Sequence, residues 1–342
     1  MAQILGIEST CDETAAAVVI DGLRVSSNVV ATQIDLHAKY RGVVPEIASR
    51  AHLEKILPVV REALDAAKTS FKDLDAISVA HRPGLVGSLL IGVTAAKTLA
   101  WTLAKPLVGV DHVHAHLFSV KLETDAQIPM PAVGLVVSGG HTALYQINSF
   151  LDVRLIGATI DDAVGEAYDK VAAILGLGYP GGPIIDSLAA TGDAAAVKFP
   201  RTLLAKNSLD FSFSGLKTAV LYHVRGFKGR EKTADALTPR EIRDIAAAFQ
   251  AACVDVIAKK ISRAIAMIGA KSVIIGGGVA ANKGLRKRMS AIGLPVFFPL
   301  PQYCTDNAAM SAGLADLLLA AGKISSLDLD AITYSQFLPE SA

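Results

Sequence analysis

Short apolar runs that end at polar turns occur at two places in the chain, and each place predicts a pair of strands. The first pair is expected over residues 4–7 and 15–20, on either side of the polar turn 8–14. The second is expected over 132–137 and 143–147, on either side of 138–142. Apolar runs of this length between turn residues are typical of buried strands. The repeat of one design predicts an internal duplication: two lobes, each opening with a hairpin whose tip faces a shared cleft.

Helical periodicity covers most of the remaining chain, because apolar residues recur there at intervals of three and four. Helices are expected over 46–68, 87–103, 112–122, 162–175, 214–224, 240–268, from about 280, and over 307–319. Short strands are expected over 76–79 and 272–275. This alternation predicts an α/β protein with lobes 1–128 and 129–306, and a C-terminal helix within 307–324 that packs back on the first lobe.

Composition restricts the class of protein further. Of 342 residues, 51% are hydrophobic and 19% are charged, which favours a large core and not extensive disorder. The net charge of +1 argues against a nucleic-acid binder that uses its whole surface, but leaves room for a local basic patch. Three widely spaced cysteines indicate a reducing compartment, and the apolar run 83–96 is too short to span a bilayer. We expect a cytoplasmic protein that is not in a membrane.

The segment 111–116, Asp-His-Val-His-Ala-His, is the strongest chemical signal in the chain. His112 and His116 are four residues apart, so on a helix both imidazoles project from one face and can bind one divalent cation. Val113 occupies the position of the glutamate in an H-E-x-x-H metalloprotease, so no built-in hydrolytic base is present. His114 points away and is expected to be a bystander. Asp306, before the last helix, is expected either to cap that helix or to supply a carboxylate to the metal, and such a ligand set suits Fe²⁺ or Zn²⁺.

Three glycine-containing turns predict contacts with a nucleotide. Residues 138–142, Ser-Gly-Gly-His-Thr, offer backbone N–H groups and hydroxyls to a phosphate, although ordinary hairpins use the same residues. Residues 276–282 form a strand–glycine turn–helix pattern in which Asn282 is expected to be free to bind a ribose or phosphate. Asp169 and Asp186 flank the rigid turn 179–183 and are expected either to bind ribose hydroxyls or to belong to a purely structural turn.

Basic residues concentrate in two parts of the second lobe. They form either a solvated face or a track that contacts phosphates. The two clusters are Lys198, Arg201, Lys206, Lys217, Arg225, Lys228, Arg230 and Lys232, and then Lys283, Arg286, Lys287 and Arg288.

Eight motifs, in this order along nearly the whole chain, closely resemble those of the TsaD (Kae/Gcp) family. They are 6–14 (Gly-Ile-Glu-Ser-Thr-Cys-Asp-Glu-Thr), 83–89 (Pro-Gly-Leu-Val-Gly-Ser-Leu), His112-x-x-x-His116, 137–142 (Val-Ser-Gly-Gly-His-Thr), 165–170 (Gly-Glu-Ala-Tyr-Asp-Lys), 179–183 (Tyr-Pro-Gly-Gly-Pro), 213–217 (Phe-Ser-Gly-Leu-Lys) and 277–282 (Gly-Gly-Val-Ala-Ala-Asn). The form of the first motif resembles the bacterial branch.

The resemblance implies an actin-like ATPase fold of the sugar kinase/Hsp70/actin superfamily. It also implies transfer of a threonylcarbamoyl group from threonylcarbamoyl-AMP to N6 of adenosine 37, in tRNAs that read codons beginning with A. Help is implied from the TsaB paralogue and the TsaE ATPase. Two alternatives remain: a metalloendopeptidase, after an old description of the family, and a kinase-like ATPase.

The resemblance also implies roles for particular residues. His112, His116 and Asp306 would bind one metal ion, with Fe²⁺ preferred and Zn²⁺ as the alternative. The adenylate would be bound by Val136, Val137, Ser138, Gly139, Gly140, Asp169, Gly182, Asp186 and Asn282. The N6 amine must lose a proton when it attacks, and Asp12, Glu13 and His141 are the candidates for the base.

Overall fold

The computed structural model describes residues 1–40, 42–226 and 237–335. The chain divides into two compact units. Unit 1 comprises Met1–Gln127, Phe150–Val153 and Pro299–Ala342, and unit 2 comprises Ile128–Ser149 and Arg154–Phe298. Residues 299–306, which the sequence pattern assigns to the second lobe, therefore group with unit 1. The lobe boundaries 1–128 and 129–306 stay predictions.

The first sheet and the helices around it come from the two ends of the chain. The strands are β1 (Gln3–Glu8), β2 (Glu13–Ile20), β3 (Arg24–Thr32), β4 (Ala76–Arg82) and β5 (Leu107–Asp111). The helices are α1 (Ile34–Ala38), α2 (Pro45–Ala67), α3 (Val86–Leu103), α4 (His112–Phe118) and, near the C-terminus, α10 (Ala308–Ala320).

The second sheet and its helices come from the middle of the chain. The strands are β6 (Ala132–Val137), β7 (Thr142–Ser149), β8 (Asp152–Ala158), β9 (Ser272–Gly276) and β10 (Val296–Phe297). The helices are α5 (Val164–Ile174), α6 (Gly181–Ala189), α7 (Ser214–Arg225), α8 (Pro239–Ile268) and α9 (Lys283–Met289).

The two sheets repeat one topology. Their strand orders are β3-β2-β1-β4-β5 and, read from the other edge, β8-β7-β6-β9-β10. In both, an antiparallel hairpin (β1–β2 or β6–β7) is joined by a parallel strand, β4 beside β1 and β9 beside β6. The predicted pair of hairpins is therefore confirmed as the start of each sheet.

Both faces of the first sheet are covered, which explains why β1 and β2 are apolar on both sides. Ile4 and Val19 belong to a core cluster that includes the buried residues of α10. Leu5, Ile7 and Val18 face the opposite way and pack with α2 and α3. Side chains alternate between the faces of a strand, so a strand between two helical layers reads as a continuous apolar run.

Gly6 lies in β1 where α10 crosses the sheet. A Cβ atom at this position would meet the carbonyl oxygen of Ala308, as well as Ala312. A larger residue would push α10 away from the sheet, so close helix–sheet contact requires glycine here. In the structure, Gly6 thus lets α10 pack closely against the first sheet.

One helix of the described residues, α3, is long and apolar enough to cross a membrane by length and composition alone. It packs against α2 and β4, with Leu89, Val93, Ala96 and Ala100 buried on its inner face. Core helices pass the same test, so this result is weak evidence for a membrane span.

Several helix ends differ from the predictions. Strand β5, which is absent from the predicted elements, directly precedes the helix at 112. Helix α4 ends at Phe118 before a short 3-10 turn, Ser119–Lys121. Residues 278–281 form a 3-10 turn, and α9 begins only at Lys283. Asp306 is not the cap of the last helix: Asn307 is, because its side chain accepts the N–H of Met310 at 3.1 Å.

Candidate functional site

Three side chains that are far apart in sequence converge in unit 1 as a compact set of metal-ligand types. His112 and His116 lie on α4, and Asp306 lies just before α10. Asp306 Oδ1 is 3.1 Å from His116 Nε2 and 3.5 Å from His112 Nε2. One ligand atom from each residue lies within 4.8 Å of the other two. Two imidazole nitrogens and one carboxylate oxygen at this separation fit a single divalent cation.

The start of α4 is fixed by its own N-cap. Asp111 ends β5, and its Oδ1 accepts the backbone N–H groups of Val113 and His114 at 3.0 and 3.1 Å. Its other oxygen accepts the hydroxyl of Ser335 at 2.8 Å. An aspartate at this position satisfies two of the free N–H groups at a helix start. The cap therefore sets where the two histidines lie relative to the sheet edge.

The two outer histidines have different surroundings. His112 is buried, and its Nδ1 is 3.1 Å from Glu8 Oε2. Burial lowers the pKa of His112, but the charges of Glu8 and Asp306 outweigh burial and raise that pKa to about 9. Burial lowers the pKa of His116 despite its hydrogen bond to Asp306. His116 Nδ1 has no hydrogen-bond partner among the described residues.

His114, the third histidine of the segment, is buried apart from the ligand set. Burial lowers its pKa to about 4, so it is a neutral core side chain at physiological pH. A role as bystander agrees with this position.

Asp12 and Glu13 lie at the tip and end of the β1–β2 turn in unit 1. Glu13 Oε1 accepts the hydroxyl of Thr32 at 2.9 Å, whereas its Oε2 is buried with no partner among the described residues. Burial raises the pKa of Glu13 to about 7. Burial and the neighbouring charge of Asp306 raise the pKa of Asp12. Two carboxyl groups whose pKa values move toward neutrality are typical of proton-transfer sites.

The β6–β7 turn in unit 2 is held by a reciprocal pair of bonds across it. Ser138 N–H donates to the carbonyl of His141 at 2.8 Å, and His141 N–H donates to the hydroxyl of Ser138 at 3.0 Å. Gly139 and Gly140 at the tip are exposed. No heavy atom of the described residues lies within 4 Å of where their Cβ atoms would be. Val136 and Val137, by contrast, are buried in β6, so only their backbone can contact a ligand.

Asn282 is not free, contrary to the sequence prediction. Its Oδ1 accepts the N–H of Leu285 at 2.8 Å and caps α9, and its Nδ2 donates to Gln250 Oε1 at 2.7 Å. Gln250 in turn donates to Asp186 Oδ1 at 3.1 Å, and Asp186 accepts the backbone N–H of Lys283. We call Gln250, Asn282 and Asp186 the amide cluster. It fixes the start of α9 to helices α6 and α8.

Asp169 and Gly182 lie at the neighbouring junction between α5 and α6. Asp169 Oδ1 accepts the N–H of Gly181 at 2.7 Å, so this carboxylate fixes the first turn of α6. No heavy atom of the described residues lies within 4 Å of a Cβ at Gly182. Asp169 thus has a structural role in this turn, and the space beside Gly182 is open.

The basic residues of the two clusters have different surroundings: some contact other groups of unit 2, some are exposed, and some lie outside the described residues. Lys217 forms an ion pair with Asp162 at 2.9 Å. Arg286 donates to the carbonyl of Ala280 at 2.8 Å and lies over the ring of Phe298. The exposed members include Lys198, Lys206, Arg225, Lys283 and Lys287. Lys228, Arg230 and Lys232 of the first cluster lie outside the described residues.

Two polar residues of these sites were missed by sequence reasoning. Glu8 is a charged residue at the end of an otherwise apolar strand, and Gln250 is an amide inside the apolar run 245–254 of α8. Both are buried. A buried polar residue needs a specific partner, so an isolated polar position in an apolar run is the signal that could have identified them.

Comparisons with known proteins agree with the geometry. The profile described as "TsaD: tRNA N6-adenosine threonylcarbamoyltransferase" matches residues 24–313. A protein of that name from Syntrophotalea carbinolica is 50% identical over 332 residues, which are 96% of this chain and 95% of the relative. A second protein of that name, from Moorella thermoacetica, is 51% identical. The match covers 90% of this chain and 89% of the relative.

Solved structures establish the fold. HypF from T. kodakarensis superposes with a TM-score of 0.62 at 18% identity, over 96% of this chain and 49% of its own. Component A of (R)-2-hydroxyglutaryl-CoA dehydratase from Acidaminococcus fermentans superposes with a TM-score of 0.54 at 14% identity. The match covers 94% of this chain and 100% of that chain. The expected actin-like ATPase fold is confirmed. With that fold, the motif order and the extent of the sequence matches, the chain belongs to the TsaD family of tRNA N6-adenosine threonylcarbamoyltransferases.

Proposed function

We propose that this chain transfers a threonylcarbamoyl group from threonylcarbamoyl-AMP to N6 of adenosine 37 in tRNAs that read codons beginning with A. The observation that carries the proposal is the convergence of His112, His116 and Asp306 in a chain of this family. A peptidase or a kinase-like ATPase is less well supported, because the relatives described above carry the transferase name.

In this reaction, N6 attacks the carbonyl carbon of the mixed carbamic–phosphoric anhydride. The new N6–C bond forms, the bond from that carbon to the phosphate oxygen breaks, and AMP leaves with the electron pair. The N6 amine is a poor nucleophile because its lone pair is delocalised into the ring, so the activated donor is needed. The N6 proton must pass to a base, and we propose the pair Asp12 and Glu13, because burial raises the pKa of each.

We propose that His112, His116 and Asp306 bind Fe²⁺, with Zn²⁺ as the alternative. The donor set has two imidazole nitrogens and one carboxylate oxygen, which either ion accepts. At such a site a divalent cation supplies Lewis-acid neutralisation of phosphate or carbonyl oxygens. The residues themselves hold the ligand atoms within 4.8 Å of one another.

For the adenylate we propose the backbone of 136–140 together with the open surface above Gly182. The exposed glycines allow close approach of a phosphate to backbone N–H groups. Asp169, Asp186 and Asn282 would act mainly by fixing the turns, since each already accepts at least one hydrogen bond from the protein. Both oxygens of Asp186 already accept hydrogen bonds within unit 2, so a ribose hydroxyl would share an acceptor that the protein uses.

We propose the exposed basic residues of unit 2 as the tRNA contacts, with Arg225, Lys283 and Lys287 first. Lys217 and Arg286 are weaker candidates, because Lys217 forms an ion pair with Asp162 and Arg286 donates to a backbone carbonyl. Charge reversal at the three exposed positions should weaken tRNA binding and lower its salt dependence, by roughly one released counterion for each phosphate that is no longer neutralised. An unaltered salt slope in a binding titration would rule out this surface.

The partner we propose for unit 1 is a TsaB-type paralogue bound to the outer surface of α2 and α3. Leu53, Leu57, Leu90 and Trp101 are exposed there at 66%, 56%, 44% and 73%. Large exposed apolar side chains on two adjacent helices are typical of an interface. Leu57→Asp with Leu90→Asp should abolish co-elution with purified TsaB. Met267→Asp, on an exposed apolar residue of α8, is the control that should not.

The direct test uses the purified chain with TsaB, TsaE and threonylcarbamoyl-AMP on unmodified tRNA, in cytoplasm-like reducing buffer. Mass analysis of the digested nucleosides should find threonylcarbamoyl-adenosine, and none when the chain is omitted. Absence of that nucleoside in the complete mixture would overturn the proposal. Peptide cleavage by the chain alone that His112→Ala abolishes would support the metalloendopeptidase instead. ATP hydrolysis by the chain alone that His112→Ala leaves unaffected would support the kinase-like ATPase.

A further inference from the structure

Glu8 is a buried carboxylate at the point where three parts of unit 1 meet. It ends β1, it begins the turn that carries Asp12 and Glu13, and it lies beside α4. Its side chain is fully buried. A buried carboxylate without partners is strongly unfavourable, so its hydrogen bonds identify what it does.

The two oxygens of Glu8 serve two different donors. Oε1 accepts the backbone N–H of Thr10 at 2.8 Å, and Oε2 lies 3.1 Å from His112 Nδ1. An ionised carboxylate only accepts hydrogen bonds, so the proton of this second bond lies on Nδ1. His112 Nε2 then points away from Glu8, toward Asp306 Oδ1 at 3.5 Å.

We infer that Glu8 is a positioning residue of the metal centre, which holds the His112 ring with Nδ1 protonated and Nε2 presented to a divalent cation. The inference rests on the proposed function of His112, His116 and Asp306 as ligands. Outer carboxylates that accept the second N–H of a ligand histidine fix the ring and raise its basicity. His116 differs, because its Nδ1 has no partner among the described residues. Glu8 therefore makes His112 the better-oriented of the two histidine ligands.

The chemistry of the amide explains why Glu8→Gln is an informative variant. Glutamine has one acceptor oxygen in place of two, so it cannot satisfy both Thr10 N–H and His112 Nδ1–H. One of the two bonds must be lost, and the negative charge beside the imidazole is lost as well. Glu8→Asp keeps both acceptor oxygens and the charge on a side chain shorter by one methylene, and should restore part of the function.

The probe is Co²⁺ alone, titrated into the purified full chain with a competing chelator and followed by its visible d–d absorption. Glu8→Gln should weaken Co²⁺ binding about 10- to 100-fold and change the spectrum. Glu8→Asp should lie between Glu8→Gln and the wild type. Glu46→Gln makes the same substitution on the exposed surface of α2, where the carboxylate pairs with Arg50, and should leave Co²⁺ affinity unchanged.

The outcomes separate this inference from the proposed metal site. Wild-type affinity and spectrum in folded Glu8→Gln would overturn the role of Glu8 while leaving the ligands intact. No Co²⁺ binding by the wild type would overturn both. If Glu8→Gln does not fold, two other measurements test the inference. They are the Co²⁺ affinity of Glu8→Asp and the Nδ1–H signal of His112 in ¹⁵N-histidine NMR of the metal-free wild type. A His112 carrying no proton on Nδ1 would overturn the inference.

Discussion

In unit 1, His116 Nδ1 and Glu13 Oε2 are buried with no hydrogen-bond partner among the described residues. In unit 2, both polar atoms of the Asn282 side chain have partners, one on α8 and one on α9. The buried atoms of unit 1 can therefore still bond to a ligand or a proton. The Asn282 side chain of unit 2 instead holds neighbouring helices in place. Unit 1 therefore contains the buried polar atoms on which our proposal of a reactive centre rests, whereas unit 2 presents exposed glycines beside side chains that are bonded to the protein.

The largest effect on metal content and activity is expected from replacing a proposed metal ligand of unit 1. His116→Ala removes one of three ligand atoms, so metal content and threonylcarbamoyl transfer should both be lost. His114→Ala removes a buried ring that is not in the ligand set, so metal content should stay near normal although stability falls. Metal analysis of the two purified variants measures the difference. Full metal occupancy in His116→Ala would show that the assignment of ligands is wrong.

The next effect tests the proton-accepting turn. Glu13→Gln cannot accept a proton, so the transfer rate should fall by about 10²- to 10⁴-fold. In the wild type, activity should decline as pH falls through about 7, because the base becomes protonated. Rates are measured with saturating donor and tRNA between pH 5.5 and 8.5. If Glu13→Gln keeps the wild-type rate and the same decline of rate at low pH, Glu13 is not the base and Asp12 is the remaining member of the proposed pair.

A smaller effect tests the frame of unit 2. Gln250→Met keeps the side-chain volume but removes the side-chain partner of both Asn282 Nδ2 and Asp186 Oδ1. The free energy of unfolding should fall by about 1–3 kcal/mol, and ATP affinity should fall with it. Gln146→Met, in the partly exposed position of β7, should change stability by less than about 0.5 kcal/mol. Urea unfolding and calorimetry with ATP provide both readouts, and equal stability losses in the two variants would contradict the role of Gln250.

The last effect is a pH dependence of stability in unit 1. Burial raises the pKa of Glu13 from 4.5 to about 7 in the folded chain. Between these values the folded state holds a proton that the unfolded state has released, so stability should decrease as pH rises through this window. Glu13→Gln should lose this part of the slope in urea unfolding at pH 5 and 7.5. A steeper decline in the variant would contradict the assigned direction.

Periodicity was enough to predict most of the frame, because the long helices have a continuous buried stripe. The predicted helices at 46–68, 87–103 and 240–268 agree with α2, α3 and α8 to within two residues at each end. Strand β3 was missed because its Ser-Ser-Asn stretch is only half buried and lacks an apolar run. The alternation that identifies a strand requires one face to be consistently apolar.

The three proposed metal ligands were predicted from helical spacing and from the family resemblance. His112 and His116 follow from helical spacing, whereas Asp306 is nearly two hundred residues away and was joined to them through the resemblance. The roles of Glu8 and Gln250 were not predictable, because they depend on which backbone N–H or imidazole lies opposite in the fold. For the same reason, the sequence does not show that each polar atom of the Asn282 side chain has a partner in the protein.

The insertion of unit 2 between two parts of unit 1 has a consequence for the order of events on the ribosome. The first sheet is synthesised early, but α10, which covers one of its faces, follows only after all of unit 2. Until then, Ile4, Ala17 and Val19 have no helix over them, and the nascent sheet exposes an apolar face. Such long-range closure slows folding and exposes aggregation-prone surface. We therefore expect chains truncated before residue 308 to be bound by nascent-chain chaperones and to lack Co²⁺ affinity, even when unit 2 has already folded.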